Sequence, residues 1–264
     1  MPPLPNLAES RIAEAVRTLR QPGFEAALAA LFHAIAAPDN LIYLAYRDAG
    51  APQVLYRQTL DPTVFSQLES TYLPGAYRLD PYFDLHLNRV AAGAYRLTDI
   101  APDAFHRSRY FSEYYDQTTL LDEVTFLACP APGVTVNLCL GRDATSGKAF
   151  SAAELDACQR LAPIVAALIE SHWADLARAP GPAQDTAVLL AEALRRTHGI
   201  ALSARQAEVA LMILQGHSTM SIGLRLGLSP QTVKVFRKQL YARCTLSSQA
   251  ELFALMLPLL REQT

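Results

Sequence analysis

Apolar residues recur three and four apart in some stretches of this chain and alternate with polar ones in others. Phe24, Ala27, Leu28, Leu31, Phe32 and Ile35 keep the helical period, so 6–37 reads as two amphipathic helices. NLIYLAYR (40–47) and QVLYRQ (53–58) read as a strand pair joined by DAGAP. Asp61-Pro62 carries the first-turn chemistry of a further helix. Region 72–120 mixes short helices with a brief strand near Tyr95. DEVTFLAC (122–129) and GVTVNLCL (133–140) form a second hairpin around Pro130-Ala131-Pro132-Gly133. Ser151, with Glu154 three residues on, is a capping box that starts a long helix running to about Leu176. RAPGPAQD (178–185), with two prolines and a glycine, is the clearest linker.

Beyond the linker strand patterning stops, and four helices are set off by explicit punctuation. Ser203-Ala204-Arg205-Gln206 is a capping box whose helix ends at Gly216. Ser218 caps TMSIGLRL, which stops at Gly227, where a turn needs a positive φ. Ser229 caps the next helix, with Pro230 at its first position, where a missing N–H costs nothing. Ser248-Gln249-Ala250-Glu251 is a further capping box. A short helix, a glycine turn and a second helix make a helix-turn-helix. Val233, Phe236, Leu240 and Cys244 fall three or four apart and face the other helices, which places Lys234, Val235, Arg237, Lys238 and Tyr241 outward. Such a helix suits the major groove of double-stranded DNA, about 12 Å wide. Its positive end, where Ser229, Gln231 and Thr232 stand, favours a phosphate.

Charge supports that division. Residues 186–264 hold nine Lys or Arg and four Glu, 9 − 4 = +5, while the rest of the chain holds fourteen basic and twenty-one acidic residues, 14 − 21 = −7. A basic quarter on an acidic body points to a polyanionic partner. The fold class is therefore α+β: an N-terminal antiparallel-sheet domain with flanking helices (1–177), a linker (178–185) and a C-terminal all-α four-helix domain (186–264). The longest uncharged apolar stretch, Leu161–Ile169, falls short of the roughly 20 residues a membrane helix needs. MPPLPNLAESR has no basic segment followed by an apolar one, so no secretory signal is expected. Four cysteines without a CxxC pair fit a reduced, cytoplasmic protein.

The run 202–252 resembles the DNA-binding domain of LuxR/FixJ-type transcription regulators. The matching elements are Glu208-Val209, Gly216-x-Ser218, Ile222, Leu226-Gly227-Leu228-Ser229, Thr232-Val233-Lys234 and Ala250-Glu251-Leu252. The resemblance implies that Lys234, Val235, Arg237 and Lys238 face DNA. Thr219-Met220 stands where the family usually has Asn-Lys, and Gly223 where it usually has alanine, which should weaken that helix by up to about 1 kcal/mol. The family joins this module to different input domains. Residues 1–185 contain one lysine, Lys148, and no acidic pair near the first strand, which excludes a phosphorylated receiver. Hairpins interleaved with helices and closed by a long helix are similar instead to GAF or PAS sensors.

Aromatic residues gather in front of the linker: eleven of twenty-two lie between Tyr72 and Phe126. Tyrosines rather than phenylalanines suit an apolar surface that also hydrogen-bonds, as a small-molecule pocket does. Tyr72, Tyr77, Asp80, Tyr82, Tyr95, Asp99, Tyr114 and Phe126 are the candidate ligand residues, and Asp80 favours an amine- or amide-bearing ligand. TYLPGAYRLDPYFD also resembles, loosely, the autoinducer-binding domain of quorum-sensing LuxR receptors, with Asp80-Pro81 as its Asp-Pro pair. That family's tryptophan and tyrosine fall on Gln67 and Thr71, which points away from an acyl-homoserine lactone. GRDATSGKA (141–149) has five residues between its glycines and Ala149 in place of Ser/Thr, so it reads as a loop. Asp84-x-His86-x-Asn88 would share a face only in a strand, and its surroundings read as helical or irregular. No catalytic residue, metal or cofactor is expected.

The leading expectation is a ligand-responsive LuxR-type regulator, homodimeric, with a DNA operator, a small molecule and RNA polymerase as partners. The alternatives are a homoserine-lactone receptor, or a front domain that only dimerises or that turns over its ligand.

Overall fold

The computed structural model describes residues 7–48, 50–176 and 185–261, so most of the expected linker (178–184) lies outside the described residues. The chain runs through α1 (Ala8–Arg17), α2 (Phe24–Ala36), β1 (Asn40–Arg47) and β2 (Gln53–Thr59). A stretch of tight turns leads to α3 (Pro81–Leu87), β3 (Gly93–Arg96), α4 (Leu97–Ile100) and α5 (Arg109–Glu113). Then come β4 (Leu120–Ala131), β5 (Val134–Asp143) and α6 (Ala152–His172). The five strands form one antiparallel sheet in the order β2-β1-β5-β4-β3. The two hairpins expected from sequence are joined at its centre, where β1 pairs with β5 from Asn40 opposite Gly141 to Arg47 opposite Val134. The helix expected at Asp61-Pro62 is only a 3₁₀ turn, Pro62–Phe65, with the Asp61 carboxylate accepting from Thr63 N–H.

Alternation along the strands gives the sheet two apolar faces. Leu41, Tyr43, Ala45, Val124, Phe126, Val136, Leu138 and Leu140 pack against α1, α2 and α6. Phe32 of α2 stacks on Phe126 at 4.9 Å between ring centroids. Each such fully buried aromatic ring contributes about 1.5–3 kcal/mol. Ile42, Leu44, Tyr46 and Cys139 point the other way, onto Leu68, Tyr72, Tyr77 and Phe83 of the irregular segment. α6 begins at the expected capping box, Ser151 with Glu154. Leu161, Val165, Leu168 and Ile169 are all buried within the chain, and Ile164 is the large apolar residue α6 leaves exposed. No helix among the described residues is long and apolar enough to cross a membrane.

The C-terminal unit has five helices where four were expected. α7 (Thr186–His198) precedes α8 (Ala204–Gln215), α9 (Thr219–Leu226), α10 (Pro230–Cys244) and α11 (Gln249–Arg261). Asp185, assigned to the linker from sequence, accepts from Ala187 N–H and is the N-cap of α7. Every other expected stop and start is present. Ser203 and Gln206 close a reciprocal capping box, Ser218 and Ser229 cap α9 and α10, and Gly216 and Gly227 end their helices at φ 94° and 65°. Ser248 accepts from Glu251 N–H, but the Glu251 carboxylate reaches back one residue further, to Ser247.

The two units share a core. Ala76, Leu79, Tyr82, Phe105 and Tyr110 of the irregular segment pack with Leu190, Ile213, Met256 and Leu260 of α7, α8 and α11. Polar contacts cross the same seam. Ala104 N–H donates to the Gly216 carbonyl (3.0 Å), Ser218 N–H to the Asp103 carboxylate (2.9 Å) and the Gln215 amide to the Asp84 carboxylate (3.0 Å). The segment carrying the tyrosines is thus wedged between the sheet and the helix-turn-helix.

Candidate functional site

α9, the turn at Gly227 and α10 carry the candidate DNA face. Val233, Leu240 and Cys244 are buried and Phe236 is half-buried, which turns the opposite side of α10 to solvent. Lys234, Val235 and Lys238 are exposed along it, with Ser229 and Gln231 exposed and Thr232 half-buried at its N-terminal end. The Ser229 hydroxyl accepts from Thr232 N–H at 3.0 Å and Val233 N–H donates to the Ser229 carbonyl, so with Pro230 lacking a donor it is Gln231 N–H that the first turn offers to an anion. Two expected outward residues behave differently. Arg237 is half-buried and donates to the Thr219 hydroxyl of α9 at 3.2 Å, so it braces the two helices. Tyr241 packs against the domain core with its hydroxyl enclosed and unpartnered among the described residues. At i+4 from Arg237 and one residue past Leu240, its position on the helix leans inward.

A cavity of about 60 Å³ lies between the sheet and the irregular segment. Of the eight candidate ligand residues, Tyr72, Asp80, Tyr82 and Tyr114 line it. Asp80 caps α3, accepting from Tyr82 N–H at 2.8 Å, and also accepts from the Tyr72 hydroxyl at 2.8 Å, which in turn meets the Tyr46 hydroxyl at 2.7 Å. Burial pushes the Asp80 carboxyl up to about 6, although the bonds from Tyr82 and Tyr72 pull it back. Burial likewise holds the Tyr72, Tyr82 and Tyr114 hydroxyls well above the usual phenol range, so they remain donors.

The other four candidates lie elsewhere. Tyr77 is buried against Phe83 in the neighbouring cluster. The Tyr95 hydroxyl donates to the Ala91 carbonyl, and Asp99 is exposed on α4. Phe126 faces α2 on the far side of the sheet, because β4 sends even-numbered residues from Val124 to Ala128 towards the helices. By the same alternation Glu123 reaches the cavity, joined there by Cys139, Tyr115, Thr118 and Leu68. An acidic residue inside an expected strand, between Asp122 and Val124, was the available signal for Glu123. Gln67 and Thr71, the positions weighed against the autoinducer-binding pattern, bond to each other at 2.8 Å, and the residues one place on, Leu68 and Tyr72, line the cavity. Asp84, His86 and Asn88 form no joint site. Asp84 accepts from Gln215, His86 bonds the Thr135 hydroxyl and the Asp48 carbonyl, and Asn88 donates to the Asp84 carbonyl.

Comparison with known proteins adds to this geometry. Residues 201–256 match the family model described as bacterial regulatory proteins, luxR family, which agrees with the resemblance read over 202–252. A protein of Aeromonas salmonicida named as an HTH-type transcriptional regulator in the exeN 3′ region is 30% identical over 184 residues. That alignment spans 67% of this chain and 93% of the relative. The crystal structure of the VqsR LBD domain from Pseudomonas aeruginosa shares the fold with a TM-score of 0.53 at 24% identity, over 64% of this chain and 97% of that one. On this match of sequence, extent and helix-turn-helix geometry, the chain belongs to the luxR family of bacterial regulatory proteins.

Proposed function

We propose that the chain is a ligand-responsive, DNA-binding transcription regulator. Residues 1–177 form the sensing and dimerisation domain, 178–184 the linker, and the chain from the Asp185 cap of α7 onward the DNA-binding domain. A small molecule in the cavity controls how α10 meets an operator. The observation that carries this reading is the double duty of one segment, 103–118. Tyr114, Tyr115 and Thr118 wall the cavity, while Asp103 and Ala104 bond to the turn that leads into α9. A ligand that moves the tyrosines moves the contact on which the helix-turn-helix rests. One α10 reads too few base pairs for good specificity, so the working form is a homodimer on two half-sites, acting on RNA polymerase.

The DNA half is tested with a duplex selected from a random pool by the full chain. Lys234→Ala with Lys238→Ala leaves the buried side of α10 and the Arg237–Thr219 brace intact. It should abolish binding at ordinary salt and flatten the log K against log salt slope by about 2. Unchanged affinity in a gel-shift titration overturns the assignment of α10. The sensing half requires that a compound which stabilises the chain through the cavity also change that gel shift; a compound that binds there and leaves it unchanged overturns the regulation.

A further inference from the structure

Both oxygens of Asp80 are already engaged, one by Tyr82 N–H and one by the Tyr72 hydroxyl. Glu123 is in a different position. It enters the same cavity from β4 and is half-buried there, where Asp80 is buried. Among the described residues its carboxylate receives no N–H or O–H bond and no ion pair; the Cys139 thiol, a weak donor, is its neighbour. No Lys, Arg or His among the described residues lines the cavity. A carboxylate enclosed in a cavity with neither a cation nor a strong donor is costly to ionise. A cation brought in from outside would relieve that cost.

We propose that the cavity binds a small alkylammonium ion whose charge pairs with Glu123 and whose hydrocarbon body rests on Tyr72, Tyr114 and Tyr115. This rests on the reading of the cavity as the ligand site and moves the charge recognition from Asp80, the residue favoured from sequence, to Glu123. Aromatic faces add attraction for a cation. The cavity offers an anion no cation to pair with, and about 60 Å³ leaves room for a few carbon atoms but not for a long acyl chain. The charged groups facing Glu123 are Asp80 and Asp122, the second held by Arg96 at 2.8 Å. Burial first, and then the charge of Asp80, push the Glu123 carboxyl well above the usual carboxylate range, so an incoming cation competes with a proton for this site. A bound cation favours the ionised carboxylate, so binding strengthens as that carboxyl gives up its proton.

The test uses the full chain with propylammonium, propan-1-ol and propionate, three probes of one size and different charge. Propylammonium alone should raise the melting temperature. Its calorimetric affinity should rise with pH, because the ionised carboxylate is the form that pairs with it. Glu123→Gln should weaken propylammonium about tenfold or more, the scale of a lost charged hydrogen bond, whereas Asp80→Asn, which still caps α3, should weaken it less. If propan-1-ol binds equally well, or Glu123→Gln has no effect, the cation is wrong while the cavity remains a ligand site. If none of the three probes binds, the cavity reading fails with it. Should Glu123→Gln not fold, the wild-type protein still decides, since propan-1-ol or propionate binding as tightly as propylammonium overturns the proposal. Propylammonium bound as described, with DNA affinity deaf to every cavity ligand, would sink the regulator reading and leave this one standing.

Discussion

Gly223 lies inside α9, where an alanine would ordinarily add up to about 1 kcal/mol of helix stability. Here the turn after α9 folds back on it. Leu228 N–H donates to the Gly223 carbonyl at 2.8 Å, and the Leu228 carbonyl oxygen stands 2.8 Å from where a Cβ on residue 223 would be. A backbone oxygen so close cannot swing away as a side chain could; the turn that sets α10 against α9 would have to move. Overlap therefore outweighs propensity. Gly223→Ala should destabilise the helical unit by about 1–3 kcal/mol and weaken DNA binding, the reverse of what helix propensity alone predicts. A melting temperature at or above wild type in calorimetry would show that the turn yields freely.

At the scale of elements, what matters is how α11 lies on the irregular segment. Gly75 meets the last turn of α11 so closely that a Cβ would stand 2.7 Å from the Leu260 carbonyl group and 2.8 Å from Arg261 N. Its backbone is extended, so the constraint is the close approach and not the conformation. Gly75→Ala should push α11 off the turn at Ala76–Leu79 while Leu252, Phe253 and Met256 stay packed inside the helical unit. The expected cost is about 1–3 kcal/mol, concentrated in the seam between the two units. Small-angle scattering should report a larger radius of gyration with both units still folded by circular dichroism. An unchanged scattering curve would mean that the other seam contacts, among them Ala104–Gly216 and Ser218–Asp103, hold the units without this one.

For the whole molecule, pH acts on the seam through buried groups of opposite sign. His217 is buried there beside Arg225 and Asp103, with the Ser221 hydroxyl 2.8 Å from its Nδ1. Burial, and then the Arg225 charge, pull it from 6.5 down to about 4. Below pH 6.5 the unfolded chain takes up a proton that the folded one refuses, so stability falls as pH drops towards 4, by about 3 kcal/mol in full. Asp80 and Asp84 are raised by burial to about 6, and there the folded state binds the proton. Their effect is opposite: stability is gained below their ordinary range and lost as pH rises through 6. His217→Gln should therefore remove the acid-side loss alone. Its melting temperature should fall less than that of the wild type between pH 6.5 and 4, and parallel curves would clear His217 of any part in it.

Much of the molecule was written locally. Ser218, Gly227, Ser229 and Pro230 mark the ends of α9 and α10 because capping and positive-φ turns involve residues within four places of each other. The same holds for β1, whose bounds follow its run of apolar residues, and for the Ser151–Glu154 start of α6. Asp185 was an equally local cap, hidden by the prolines and glycine just before it. The cavity was legible only in part. Sequence could collect the tyrosines and Asp80, but which of them meet depends on which face of the sheet each strand residue takes. That is settled by the pairing of β5, the partner of β4 in a hairpin, with the distant β1, and by α2 and α6 covering one face. Phe126 and Glu123 stand three places apart in one strand, and tertiary structure alone sent the first into the helix-covered core and the second into the cavity.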